Sequence, residues 1–380
     1  MPKYDPIPVT PSIITWARNN AGFSVEQAKE SFRAIEQWES GEMMPSYPQL
    51  ESMADKFKVP IAVFFFPEPP DLPSISESFR TIPESEFDTL PPKIRLLVRK
   101  AKAFQINLAE LTGGQNPAES ILTNDLTFTV DTAIATMAAE VRKYLGISIE
   151  DQLSWSDADK ALEVWRDALQ DAGIYVFKDP FRDKDFSGFC LYDDQFPLIY
   201  VNNTTPKTRQ CFTLFHELCH LIFHTSGLDG FTEEFIGHLP DADQRIEVIC
   251  NRFAAEFLLP DREFERAMSG LDANRETAAL LASNYHVSRE FIYRKLLDRS
   301  LITQTEYGEA AAAWKSEAGR SGGGGDYYYN VIAYRGRPYI RLVLSQFYQN
   351  RINDVEAAEY LDVTPRNLST LEEYFARGPA

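Results

Sequence analysis

The stretch Phe212-Thr-Leu-Phe-His216-Glu217-Leu-Cys-His220-Leu-Ile-Phe-His224 constrains this chain more than any other. Its apolar residues recur at helical spacing, which predicts a buried helix over 206–224. Residues four apart on an α-helix differ by about 40° around its axis, so His216 and His220 share one face. Two imidazole nitrogens on one face can grip a single Zn²⁺ at about 2.0–2.1 Å. Glu217, one position after the first histidine, stands beside such a metal and can take a proton from its bound water. Phe212, Leu214, Phe215, Leu218, Leu221, Ile222 and Phe223 are expected to wall the helix off from solvent. The competing reading is a core helix that happens to contain two histidines. Only five histidines occur in the chain, and three of them fall within the nine residues 216–224, which favours the metal. His224, one further turn on, is read as a packing or hydrogen-bonding residue.

A catalytic zinc needs a third protein ligand and an open fourth position. The H-E-x-x-H-x-x-G-x-x-H continuation is absent, because Phe223 and Ser226 stand where Gly and His belong. A second amphipathic helix is predicted over 241–259. Its apolar stripe, Ile246, Ile249, Cys250, Phe253 and Phe257, leaves Glu247 and Asn251 together at the border of the core. Periodicity alone makes Glu247 equally a candidate ligand and an ordinary flanking carboxylate. Glu256 is read as structural. Upstream, 187–192 and 198–202 are predicted strands of a hairpin, joined by Asp193-Asp194-Gln195-Phe196-Pro197. The strand over 198–202 is either purely structural or able to pair with an extended substrate.

Phe212-Thr-Leu-Phe-His-Glu-Leu-Cys-His-Leu-Ile-Phe-His224, then Glu247 and Asn251-Arg-Phe-Ala-Ala-Glu-Phe-Leu-Leu-Pro260, resemble the ImmA/IrrE family of metallo-endopeptidases. Ser187-Gly188-Phe189 and 197–202 match that family as well, and the resemblance is strongest over 177–260. It implies a zincin-like fold, bound Zn²⁺, and Glu247 as the third ligand beside His216 and His220. It also implies a narrow protein substrate, a partner helix-turn-helix repressor in a stress, phage or mobile-element circuit.

The first 70 residues resemble the helix-turn-helix domain of Cro/CI-type (Xre) regulators, through Ala28, Trp38-Glu39-Ser40-Gly41, Pro45-Ser46, Leu50, Met53-Ala54 and Val59-Pro60. Ser24 with Gln27 is a capping-box pattern inside it. Yet this segment carries six basic against nine acidic side chains, a net −3. Its base-reading stretch, 30–36, offers one arginine and two carboxylates to an anionic groove. Protein contact is therefore expected there in preference to specific DNA readout, although Arg18, Lys29 and Arg33 of two copies could be pooled into a patch.

The whole reads as α+β. An all-α helix-turn-helix domain (1–70) is followed by a linker and helix (71–125). A zincin-like metallopeptidase domain with a small sheet and the H-E-x-x-H helix (126–270) comes next. A helix-turn-helix-like helical segment (271–318), turning at Val287-Ser288, precedes a Gly-rich joint and small C-terminal module (319–380). That module, tethered through Ser321 to Gly325, is expected to regulate the enzyme or dock a partner. Across 380 residues the formal net charge is −18, with 44% hydrophobic and 25% charged residues, so a wholly disordered chain is excluded. Four cysteines do not make a disulfide framework and read as buried thiols of a reducing compartment. No signal peptide or membrane span is expected, since the longest apolar run, 59–66, is short and broken by Pro60. A cytoplasmic zinc endopeptidase follows, with Glu217 as base and His238 or Tyr200 as candidate oxyanion helpers. The alternatives are a DNA-binding transcriptional regulator, supported by Arg289, Arg294, Lys295 and Arg299 as well as by the first module, and an antitoxin-like protein. In either, the zinc domain is a sensor or scaffold.

Overall fold

The computed structural model describes residues 5–70, 90–183, 185–225, 228–230, 241–317 and 326–377. The joint at Ser321 to Gly325, residues 71–89 of the linker and His238 lie outside them. The chain divides into two units, Met1–Lys100 and Ala101–Ala380.

The first unit packs four short helices, Pro11–Asn20, Val25–Lys29, Ile35–Glu39 and Tyr47–Phe57, around Ile13, Ile14, Trp38, Leu50, Met53 and Phe57. Ser24 and Gln27 form the expected capping box, each side chain bonded to the other's backbone N–H at 3.2 and 2.9 Å. The first helix starts at Pro11, with Thr10 at its N-cap position. Proline suits that first position because its missing N–H has no partner there to lose.

The second unit is built on a four-stranded mixed sheet of β1 (Tyr175–Asp179), β2 (Phe186–Leu191), β3 (Leu198–Asn202) and β4 (Leu228–Gly230), in the order β1-β3-β2-β4. β2 and β3 pair antiparallel, as the hairpin reading expects, with Gly188 opposite Val201 and Leu191 opposite Leu198. β1 adds to the other side of β3 in parallel, Tyr175 opposite Leu198. The expectation that β3 could take up a substrate strand is therefore corrected. Both of its edges are already hydrogen-bonded within the sheet.

Side chains alternate across the sheet. Val176, Cys190, Ile199 and Val201 point to one face, where they join the core of the H-E-x-x-H helix, Lys207–Ile222. Phe177, Phe189 and Tyr200 point to the other. There Phe104 stacks on Phe177 with centroids 4.4 Å apart, and Tyr339 meets Phe177 edge-on at 5.2 Å. Tyr339 belongs to the helix Arg337–Tyr348 and is fully buried, so residues of the C-terminal segment cover that face. Arg335, just before it, reaches Asp362 at 2.7 Å and Asp179 at 3.5 Å.

On the first face three helices meet at aromatic rings. Trp165, from Ala158–Asp171, touches Phe215 at 5.0 Å and Phe257 at 5.2 Å, and Phe215 stacks on Phe257 at 3.9 Å. Phe215 lies on the Lys207–Ile222 helix and Phe257 on Asp241–Leu258. Fully burying one such ring is worth about 1.5–3 kcal/mol, enough to fix the two helices against each other. All four cysteines are buried and stand outside any disulfide. No helix among the described residues is long and apolar enough to cross a membrane.

Candidate metal centre

The helix Lys207–Ile222 is buried along nearly its whole length, with His216, Glu217 and His220 all below 4% exposed. The packing of Phe215 on Phe257 brings the Asp241–Leu258 helix alongside, and Glu247 then faces the two imidazoles. His216 Nε2 lies 3.3 Å from Glu247 Oε2, and His220 Nε2 lies 3.1 Å from Glu247 Oε1. The two Nε2 atoms are 3.2 Å apart. Ligands of a tetrahedral zinc held at 2.0–2.1 Å stand roughly 3.3 Å from one another. The donor triangle has that size. Its chemistry, two imidazoles and one carboxylate, is that of a catalytic zinc site with a fourth position left open. Among the described residues these three are the cluster of metal-binding type whose donor atoms converge.

The two histidine side chains keep 1% and 4% of their surface, while Glu247 keeps 15%, so the centre opens on the glutamate side. Burial raises the Glu247 pKa. His220 and His216 overcome that and hold the carboxyl well below the usual carboxylate range.

Glu217 is fully buried at the seam between its helix and β2. Gly188 makes that seam possible. A Cβ there would stand 2.4 Å from Thr213 Cγ2, 2.9 Å from the Tyr200 carbonyl oxygen and 3.8 Å from Glu217 Cγ. Gly188→Ala is therefore expected to push helix and strand apart at the site. Overpacking of this kind costs about 1–3 kcal/mol, readable as a lowered midpoint in urea unfolding. An unchanged midpoint would show that the seam yields freely.

Toward the helix N-terminus, residues 209, 212 and 216 share the metal face. The Arg209 guanidinium lies 5.4 Å from the Phe212 ring, which stands 6.4 Å from the His216 ring. Phe291, from the helix Arg289–Asp298, meets Phe212 at 6.3 Å and adds an aromatic wall beside the centre.

Residues 169–297 match the family model of the IrrE N-terminal-like domain, Peptidase M78. This span, about a third of the chain, is metallopeptidase-related and holds the sheet, both helices of the donor triangle and the wall at Phe291. Among solved structures, a Mycobacterium tuberculosis transcriptional regulator is 22% identical over 43% of this chain and 46% of that one, with a TM-score of 0.28. The alignment thus spans less than half the length of that regulator. No curated protein matches the chain.

Of the residues singled out in the sequence, His216, His220 and Glu247 come together and Glu217 lies at the adjoining seam. Tyr200 does not join them. Its hydroxyl donates to Asp179 Oδ2 on the opposite face of the sheet, which removes it as an oxyanion helper. His224 packs, as expected. Its ring stacks on Tyr192 at 4.6 Å and its Nε2 donates to the Thr123 carbonyl at 2.9 Å. Sequence reasoning passed over Thr225, whose hydroxyl sits 3.4 Å from His220 Nδ1.

Proposed function

We propose that this protein is a zinc-dependent endopeptidase, with His216, His220 and Glu247 holding the ion and Glu217 as general base. The observation that carries the reading is the donor triangle, whose 3.1–3.3 Å edges suit one zinc ion. Bound there, zinc supplies a Lewis acid for the scissile carbonyl and a lowered pKa for water. Glu217 takes a proton from the attacking water and delivers it to the amine nitrogen as the C–N bond breaks. The buried helix and the rings of Phe212 and Phe291 keep bulk water from the reacting groups. The sequence resemblance supports a helix-turn-helix repressor as substrate, and four buried cysteines outside any disulfide fit a reducing, cytoplasmic setting. An acidic protein, at −18 overall, suits a basic DNA-binding target. Incubating the zinc-loaded protein with the repressor encoded beside it, and sequencing new N-termini, tests this. A single cut that chelator abolishes is expected; an intact repressor overturns the substrate.

Sequence-specific DNA reading by the first unit is not part of this proposal. Its middle helix, Ile35–Glu39, has five residues and carries two glutamates. Arg18 is bound to Glu39 at 2.6 Å and Lys29 to Glu36 at 2.6 Å, so of Arg18, Lys29 and Arg33, the cations considered for a pooled patch, two are paired with carboxylates within the unit. Fluorescence anisotropy of the full chain on its own promoter is expected to show no submicromolar, sequence-selective binding. Selective binding with a steep salt dependence would restore the regulator reading.

A further inference from the structure

We propose that Thr225 is a positioning residue for the metal centre, fixing the His220 tautomer so that Nε2 offers its lone pair to the ion. The inference rests on the metal-centre reading above. It begins with how the helix ends. The His224 N–H donates to the Leu221 carbonyl and the Thr225 N–H to the His220 carbonyl, both at 2.9 Å. This is a Schellman closure, in which the residue past the helix takes a left-handed conformation, usually as glycine. Here it is His224, at φ +55°. The left-handed backbone is unfavourable for a residue with a Cβ. The stack on Tyr192 and the bond to Thr123 offset that cost.

The closure folds Thr225 back over the last turn, where proton counting decides its role. Thr225 Oγ1 donates its single proton to the His220 carbonyl at 2.9 Å. The same oxygen lies 3.4 Å from His220 Nδ1. With its proton engaged, the hydroxyl can meet Nδ1 only as an acceptor. Nδ1 therefore carries a ring proton, so the neutral ring that a metal would bind is the tautomer whose Nε2, 3.2 Å from His216 Nε2 and 3.1 Å from Glu247, turns its lone pair to the triangle. Without this acceptor the Glu247 carboxylate would draw the proton onto Nε2, and an incoming metal would have to displace it. The Cys190 thiol, from β2, donates to the Thr225 carbonyl at 3.8 Å and ties the residue to the sheet.

The test compares Thr225→Val, which keeps the shape and the backbone N–H bond, with Thr225→Ser, which keeps the hydroxyl. Zinc affinity is read by competition with a chromophoric chelator, and stability of the zinc-free protein by urea unfolding. Valine is expected to weaken zinc binding by about 10–100-fold, the usual effect of losing an outer-shell partner. Serine is expected to restore it. In the zinc-loaded protein the His220 Nδ1–H should exchange slowly with water in wild type and serine variant, and fast in the valine variant. If valine does not fold, Thr225→Ala carries the same comparison. Equal affinity in wild type and valine variant, or a serine variant as weak as valine, overturns this inference alone. A wild type that takes up no zinc overturns it together with the metal-centre reading.

Discussion

Glu217→Gln is expected to keep one zinc per chain while slowing cleavage of the target by about 10²–10⁴-fold, the usual share of a positioned general base. The glutamine has the shape of the glutamate but cannot accept a proton at neutral pH. Glu217 is not among the three groups whose donor atoms converge, so zinc content by elemental analysis should not change. Its side chain is fully buried beside Gly188, and an uncharged isostere there removes the cost of burying a carboxylate. The unfolding midpoint should accordingly hold or rise. Loss of activity with zinc and stability intact separates a chemical role from a structural one. Wild-type turnover in the glutamine variant would remove Glu217 from the mechanism. Loss of zinc would make it a ligand.

How far the sequence reveals this arrangement depends on how local each feature is. The facing of His216 and His220 is a property of one helix and follows from a spacing of four. The border position of Glu247 follows from the apolar stripe of its own helix. Its meeting with the histidines depends on Phe215, Phe257 and Trp165 packing across three helices, which no single periodicity encodes. The interior place of β3 is less local still. The pairing of β2 with β3 is a hairpin legible in the sequence, but the parallel addition of β1 is set by long-range packing. Tyr200 was a candidate only while the sheet's faces were unassigned; alternation with Ile199 and Val201 sends it away from the metal. Thr225 was invisible for another reason. A helix normally closes this way on glycine, and here the closing residue is His224, held by Tyr192 and Thr123 from distant parts of the chain.

Glu247→Gln should weaken zinc binding by more than the 10–100-fold expected of an outer-shell change, because it removes the one anionic donor of the triangle. An amide oxygen keeps the geometry but lacks the charge that partly neutralises Zn²⁺ in a buried site. The effect is readable without any substrate. A ligand that binds only the folded state stabilises it by about 2.7 kcal/mol at one hundred times its Kd. Zinc should thus raise the wild-type unfolding midpoint and leave the glutamine variant nearly unmoved at the same concentration. The metal-free proteins should differ in the opposite variable, pH. The Glu247 carboxyl is held below its ordinary value of 4.5 by the two imidazoles. A carboxyl with a lowered folded pKa contributes stability that is present above its unfolded pKa and is lost as pH falls through the folded one. Metal-free wild type should therefore lose stability on acidification below about pH 4.5 more steeply than metal-free Glu247→Gln, which has no such proton to take up. Equal zinc affinities in the two proteins would remove Glu247 from the ligand set. Equal acid limbs would show that the carboxylate draws nothing from His216 and His220 when the metal is gone.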